Sequence, residues 1–275
     1  MFAHEFMRHA LLAGSFVAVA CGLAGYFLVL RAQVFAGDAL SHVAFTGALG
    51  AAALGVDARI GLFAASVSVA VGMGGLGERA RADDVTIGTV FAWILGLGVL
   101  FLTIFTTSRS AGNGTAAVRV LFGSILGLSR GDVWIALAIA AGCIAVLLAI
   151  ARPLLFASLD PEVALAQGVP VAGLGFVFLG VLGAVAGEAT QAVGALLLLG
   201  LVAAPAGAAH RLARTPSAGL ALSAGFALAA VWLGLVLSYS VAQLPPSTAI
   251  VAVAVAIYAA TWLKGVSPGA RARTP

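Results

Sequence analysis

The stretch Gly-Asp-Ala-Leu-Ser-His, residues 37–42, lies between two long apolar runs and places an acid and an imidazole four residues apart. Residues i and i+4 of an α-helix share one face, so Asp38 and His42 would point the same way. A charged side chain costs roughly 2.5–3.5 kcal/mol to insert at membrane depth. The pair is therefore a candidate functional site, and the apolar runs around it decide the fold class.

The composition is that of a membrane protein, because 62% of the 275 residues are hydrophobic and only 9% are charged. A soluble domain of this length needs more polar residues to cover its surface. With about 20 residues per span, the chain predicts a single all-α domain over residues 1–275, a polytopic transmembrane helical bundle of about eight to nine spans. We expect it in the bacterial plasma membrane, in contact with lipid.

The apolar runs predict where these spans lie. We place spans at about residues 10–30, 38–56, 60–76, 85–107, 133–150, 217–241 and 248–263. The run over residues 171–210 is long enough for two spans, and we divide it at residues 187–191. Residues 118–128 are too few to cross a bilayer and predict a re-entrant or interfacial helix. Residues 1–9 predict an interfacial anchor.

The basic residues indicate the orientation, because cytoplasmic loops carry an excess of Lys and Arg. With the amino terminus outside, nine basic residues face the cytoplasm and five face outward. The inner nine are Arg31, Arg79, Arg81, Arg152, Arg211, Arg214, Lys264, Arg271 and Arg273, and the outer five are Arg8, Arg59, Arg109, Arg119 and Arg130. The net charge of +4 therefore reflects membrane orientation and not nucleic-acid binding. Residues 152–169 become a cytoplasmic loop.

That loop contains the signals that begin and end a short helix. Asp160 suits the N-cap, Pro161 the first turn and Glu162 the positive helix end. Gly168 can adopt the left-handed closing conformation, and Pro170 prevents continuation. The result is a two-turn helix that either folds back on its own bundle or presents an apolar surface to the cytosol, formed by Val163, Leu165 and Ala166.

Together these stretches resemble the integral-membrane subunit of the manganese/zinc/iron class of ATP-binding cassette importers. The run Asp-Ala-Leu-Ser-His, residues 38–42, is its most specific part. The other matching stretches are residues 6–14, 27–31, 84–88, 121–126, 160–168 and 193–205. The loop over residues 107–117 carries no matching motif, and Glu188 departs from the pattern.

The resemblance implies a permease that forms a translocation pore as a homodimer or pseudo-dimer. Two cytoplasmic ATPase subunits would dock beneath it, and an extracytoplasmic metal-binding protein would deliver the ion. The short helix would couple the ATPase to the pore through Asp160, Glu162, Ala164 and Gly168. The chain has no Gly-x-x-x-x-Gly-Lys-Ser/Thr phosphate loop, so the partner uses the ATP. We therefore expect a transport component that is not an enzyme and has no cofactor of its own.

The chemistry of the pair fits a divalent transition metal, because Asp38 supplies a hard oxygen and His42 a borderline nitrogen. The two residues are separated by roughly 40° around the helix. Two ligands bind an ion weakly, and the same pair from a second subunit could complete a four-ligand site for Zn, Mn or Fe. Two other interpretations need no ion: Asp38 could cap the second span, and His42 could hydrogen-bond Asp38 or a neighbouring helix.

The remaining polar residues predict structural roles. His210 is expected in a loop at the inner interface, and Asp84 with Asp83 caps the fourth span. Glu188 lies either at the outer end of a hairpin or at the pore entrance. The cysteines are expected to be small buried residues and the tryptophans to serve packing or interface belts: Cys21, Cys143, Trp93, Trp134, Trp232 and Trp262.

Two other function classes fit the same residues. An ATP-independent secondary transporter or channel would use Asp38 and His42 as a proton or ion relay. A membrane scaffold would use neither residue. Dependence on an ATPase partner and on residues 160–168 separates the importer from both.

Overall fold

The computed structural model describes residues 5–76, 84–108, 123, 125–195, 198–241 and 243–265. Within these ranges the chain forms ten α-helices and a short 3₁₀ turn at Ile125–Gly127, and no strand. The helices are α1 (Glu5–Leu30), α2 (Val34–Ala53), α3 (Ala58–Leu76), α4 (Asp84–Ser108), α5 (Arg130–Leu159), α6 (Pro161–Ala166), α7 (Val171–Ala192), α8 (Leu198–Leu212), α9 (Pro216–Ser240) and α10 (Pro246–Gly265). The predicted all-α class is confirmed.

Seven of the described helices are long and apolar enough to cross a membrane: α1, α3, α4, α5, α7, α9 and α10. Helix α2 has 20 residues, carries Asp38 and His42 and is not among these seven. Helix α8 is apolar and has 15 residues. With these two, nine helices run through the bundle, in agreement with the predicted eight to nine spans.

Consecutive long helices run in opposite directions, so the bundle has two ends. The inner end carries the α1–α2 turn, α6 and the α8–α9 turn. The outer end carries the α2–α3 turn, the start of α5 and the α7–α8 turn. Contacts agree with this arrangement: Tyr26 meets His210 at the inner end, and Arg59 meets Asp132 at the outer end. The short helix α6 thus lies on the side that the basic residues mark as cytoplasmic.

Helices α1, α2 and α7 form the interior of the bundle, and α4 lies at its edge. The apolar part of α1 is 72% buried, whereas that of α4 is 17% buried. Glycines let the inner helices touch through their backbones. A Cβ atom added at Gly47 of α2 or at Gly61 of α3 would collide with the backbone carbonyl of the other glycine, and one at Gly183 of α7 would lie 2.6 Å from the Ser66 carbonyl oxygen. Small residues at crossings are typical of membrane helix packing.

Several predicted boundaries were wrong, for identifiable reasons. Helix α1 begins at Glu5, so residues 5–9 extend the first span instead of forming a separate anchor. Helix α5 continues through Pro153 to Leu159, because proline removes only one donor and membrane helices accommodate it. The helix of the 171–210 run ends at Ala192 instead of at residues 187–191, and Gly194 just after it has a φ of 96°. Most of the predicted helix at 118–128 lies outside the described residues.

Candidate functional site

The turn between α1 and α2 determines where Asp38 lies. Arg31 donates a hydrogen bond from Nε to the Gln33 side-chain oxygen at 2.9 Å, and both side chains are buried. Ala32 between them has a φ of 54°. Helix α2 therefore begins at Val34, four residues earlier than predicted, with Gln33 at the N-cap position. Asp38 lies inside the helix, and the hypothesis that it caps the second span is wrong.

Asp38 and His42 lie on the one open side of an otherwise buried helical segment. Both are half-buried, whereas Leu40 and Val43 are fully buried. Phe35, which is 66% exposed, continues the same face at the inner end. Residues three and four positions apart on a helix are neighbours, so these side chains form one strip. The inner half of α2 thus presents an acid and an imidazole at the surface of the single chain.

Helix α4 borders this strip. The His42 ring meets the Phe91 ring edge to face, with 5.2 Å between centroids and 69° between planes. On the side of α4 that faces away from the bundle, Gly88, Ala92 and Gly96 recur every four residues and are exposed. A Cβ atom added at Gly88 or Gly96 would have no atom within 4 Å. A stripe of small residues therefore runs along this side of α4, next to the exposed side chains of Val85 and Val99.

Asp38 and His42 have few other potential metal ligands near them. Within the described residues, no group of three or more His, Cys, Asp or Glu side chains is placed to hold a metal ion. The hydroxyl of Ser41 donates to the backbone oxygen of Asp38 at 2.6 Å, which leaves the Asp38 carboxylate out of that bond. One chain therefore supplies two adjacent ligands and not a complete site.

The short helix α6 has the predicted boundaries. The Asp160 carboxylate accepts a hydrogen bond from the backbone N–H of Val163 at 3.0 Å, and Pro161 occupies the first helical position. Gly168 ends the segment with a φ of 80°. Each signal acts within a few residues, which explains why the sequence was sufficient to predict the helix.

The two sides of α6 differ. Val163 and Leu165 are 44% and 45% exposed, and Leu159 just before the helix is 65% exposed. Ala164 is fully buried against the bundle, and Glu162 is exposed. The inner end thus has an exposed apolar surface formed by Leu159, Val163 and Leu165, and Ala164 packs the same helix against the bundle.

A second group of charges at the outer end was not predicted. Arg59 at the start of α3 forms an ion pair with Asp132 at the start of α5, at 2.6 Å. Asp132 also accepts from the backbone N–H of Ser129, and the Ser129 hydroxyl accepts from that of Asp132. The pattern Ser-x-x-Asp is a capping box and could have been recognised, but its partner Arg59 is 73 positions away.

Glu188 belongs to this outer group. It lies inside α7, is only 5% exposed, and is within electrostatic range of Arg59 and Asp132. In the described part of the chain, its Oε2 atom has no hydrogen-bond partner. Glu188 thus lies near the outer end of α7, four residues before the helix ends at Ala192. It is a buried carboxylate beneath an ion pair.

Other predicted residues have structural positions. His210 is in the last turn of α8 and not in a loop; its Nε2 lies 3.0 Å from the Tyr26 carbonyl oxygen, and the two rings stack at 4.3 Å. Asp84 is the first residue of α4, whereas Asp83 lies outside the described residues. Cys21 and Cys143 are buried free thiols. Trp93 and Trp134 are each 64% exposed; Trp134 lies near the outer end of α5, whereas Trp93 lies near the middle of α4.

A multi-pass bundle with a half-open polar pair in an inner helix and a short helix on its inner end is the arrangement that the sequence predicts for the membrane subunit of a transporter. The model of the ABC 3 transport family matches residues 3–265. The chain belongs to this family. The predicted resemblance is confirmed.

Similar proteins cover most of the chain. It is 30% identical over 246 residues to the manganese transport system membrane protein MntC of Halalkalibacterium halodurans, across 88% of this chain and 82% of that protein. It is 29% identical over 241 residues to the chelated iron transport system membrane protein YfeD of Yersinia pestis, across 87% and 79%. The solved structure of PsaBC from Streptococcus pneumoniae in complex with Fab matches with a TM-score of 0.81 and 27% identity, across 94% of this chain and 91% of that one.

Proposed function

We propose that the chain is the permease subunit of an ATP-driven, binding-protein-dependent importer of divalent transition-metal ions. The observation that carries this proposal is the half-open pair of Asp38 and His42 in a helix that is otherwise buried. Membrane proteins seldom keep ionisable side chains at such positions without a role in transport. The relatives named for manganese and for chelated iron transport support ions of this class.

The ion would bind between two copies of the chain. A carboxylate oxygen and an imidazole nitrogen suit Mn²⁺, Fe²⁺ and Zn²⁺. Two ligands from one chain hold an ion loosely, and a two-fold axis beside α2 would bring two more. A site that is complete only in the dimer allows the ion to be released when the two copies move apart.

The side of α4 that faces away from the bundle supports a dimer interface beside Asp38 and His42. Gly88, Ala92 and Gly96 lie beside Phe91, which contacts His42. Small residues spaced by four let two membrane helices approach closely. A second copy packed on this side would cover the strip that carries Asp38 and His42.

The short helix would transmit ATP-driven movement from two cytoplasmic ATPase subunits. Its exposed residues Val163 and Leu165 offer an apolar contact, and Glu162 adds charge on the same exposed side. Asp160 and Gly168 shape the ends of the helix. Ala164 would carry the movement into the bundle because it packs there. An extracytoplasmic metal-binding protein would deliver the ion at the outer end, and the chain itself would need no cofactor.

Proteoliposomes test the requirement for ATP. They would contain the permease with its ATPase subunit, with ATP inside or outside, and the uptake of manganese, iron and zinc would be measured separately. We expect uptake only with the metal-loaded binding protein and hydrolysable ATP, and none with an ATPase variant that cannot hydrolyse it. Uptake without ATP would contradict the importer and establish the secondary transporter or channel.

Cross-linking tests the dimer. Ala92→Cys on α4 should form a disulfide with a second copy under mild oxidation in membranes. Leu148→Cys on α5, at a position that is 56% exposed, is the matched control and should remain monomeric. Equal cross-linking at both positions would show random collision and remove the support for this interface.

A further inference from the structure

A cavity of about 300 Å³ opens at the outer end between the first turns of α1 and the first turns of α5. It is separate from α2, from α6 and from the Arg59–Asp132 pair. Its polar lining comes from Glu5, Arg8 and His9 of α1 and from Arg130 of α5. Two helices that are distant in sequence therefore direct basic side chains toward one space.

The polar lining carries an excess of positive charge. Glu5 lies 3.8 Å from the Nε2 atom of His9, so its carboxylate is directed to a neighbour on its own helix. Arg8 and Arg130 are exposed and, in the part of the chain that the structure describes, form no ion pair. Two guanidinium groups at one cavity match a phosphate, which accepts hydrogen bonds from the planar donors of arginine.

The rest of the lining is apolar and lies further along both helices, toward the middle of the membrane. Leu12 and Trp134 are 53% and 64% exposed, and Leu137 lies one turn beyond. From the outer end inward, the lining thus changes from basic to aromatic to aliphatic. A glycerophospholipid has the same order, with its phosphate, its glycerol region and its acyl chains, and tryptophan favours the interfacial level.

We propose that this cavity binds an anionic glycerophospholipid of the outer leaflet. Its phosphate lies between Arg8 and Arg130, and one acyl chain follows Leu12, Trp134 and Leu137. A free phosphate ion would satisfy the arginines but would leave the apolar part of the cavity unfilled, which is why we choose the lipid. The bound lipid connects α1 to α5 and is independent of the ion that the protein transports.

Lipid binding can be measured on the purified full chain in neutral detergent. Native mass spectrometry would count bound lipids, and thermal unfolding would be followed with added phosphatidylglycerol, phosphatidylcholine or inorganic phosphate. We expect a phosphatidylglycerol adduct and a rise in Tm, a smaller effect of phosphatidylcholine, and no effect of phosphate. An equal rise in Tm with phosphate would identify a small-anion site and overturn the lipid proposal. An equal rise with phosphatidylcholine would show that the site does not select an anionic lipid, which would also contradict the proposal.

Variants locate the site. Arg8→Gln and Arg130→Gln should each weaken phosphatidylglycerol binding by roughly tenfold, because each removes one charge-assisted hydrogen bond. Arg214→Gln, an exposed arginine at the inner end, is the matched control and should leave binding unchanged. Wild-type affinity in the doubly substituted Arg8→Gln/Arg130→Gln chain would overturn the proposal.

Two tryptophans with equal exposure provide a second test of whether lipid binds at a defined site. Trp134→Ala should reduce the number of bound lipids, whereas Trp93→Ala on α4 should not, although both side chains are 64% exposed. Their equal exposure makes the loss of general lipid contact the same in both variants. Equal behaviour of the two variants would show that lipid covers the surface without a defined site.

Discussion

The bundle has two groups of ionisable residues at opposite ends, and they are arranged in opposite ways. At the outer end, Arg59 and Asp132 are joined at 2.6 Å, with Glu188 buried beneath them. In the inner half, Asp38 and His42 are half-buried, the His42 ring meets the Phe91 ring, and neither side chain forms an ion pair with another described residue. Arg59 and Asp132 are thus paired within the chain, whereas Asp38 and His42 have no ion-pair partner among the described residues.

Under the proposed function, this difference separates structural charges from charges that act in transport. A buried charge is tolerated when a partner within the protein compensates its lost hydration. Arg59 and Asp132 meet that condition and connect α3 to α5. The inner pair does not, so a passing cation can supply the compensation. Substitutions at the inner pair should therefore change transport, and substitutions at the outer group should change stability.

The largest effect is expected at the inner pair. Asp38→Asn and His42→Gln should each lower metal uptake by at least about 100-fold, because loss of a second-shell partner alone costs 10–100-fold in metal sites. Half-exposed side chains contribute little to folding, so the Tm should change little. Uptake by membrane vesicles and thermal unfolding of the purified protein would be measured together.

Asp57→Asn is the control for the inner pair. It makes the same chemical change at an exposed acid, and its remaining side-chain oxygen can still accept the hydrogen bond from the Arg59 backbone N–H. Uptake should stay near the wild-type level. If Asp38→Asn also transported at that level, the inner pair would have no special role and the contrast between the two ends would disappear.

The parts that could be predicted from the sequence depend on neighbours along the chain. Apolar runs indicate spans, the signals at Asp160 and Gly168 act within one turn, and the spacing of Asp38 and His42 is itself helical. The outer pair joins residues 73 positions apart, and His210 meets Tyr26 across 184 positions, so no local pattern predicts either contact. The α7–α8 break was misplaced because both sides are equally apolar and the turn depends on Gly194.

The next effect concerns the outer group. Arg59→Gln should destabilise the protein by about 1–2 kcal/mol. This is less than the loss of a fully buried ion pair would cost, because the Arg59 side chain is 29% exposed and water partly screens its charge. The substitution also removes a positive charge that favours the ionised form of the nearby Glu188 carboxyl. Chemical unfolding in detergent would measure the change, while uptake per folded protein should remain near the wild-type level.

A double-mutant cycle tests whether Glu188 belongs to the same group. Glu188→Gln removes a buried negative charge, so the double variant Arg59→Gln/Glu188→Gln should recover part of the stability lost in Arg59→Gln. Strict additivity of the two changes would show that Glu188 is independent of Arg59. A large loss of uptake with unchanged stability in Glu188→Gln would instead place this residue with the transport charges.

The smallest effect is expected at the end of the short helix. Gly168 has a φ of 80°, and a Cβ atom added there would meet no atom within 4 Å, so Gly168→Ala acts through backbone conformation alone. It should cost about 1 kcal/mol locally. Gly142→Ala in α5 is the matched control: it has the same open space but lies within a helix, where alanine gains about 0.5–1 kcal/mol.

This pair of glycines also tests the short helix α6. If α6 transmits movement from an ATPase, Gly168→Ala should lower ATP-dependent uptake several-fold while the global Tm hardly changes, because the strain is confined to the exposed end of α6. Gly168→Asn should restore much of the uptake, since asparagine tolerates the left-handed conformation better than alanine. Wild-type uptake in Gly168→Ala would mean that the shape of this segment is not used for coupling.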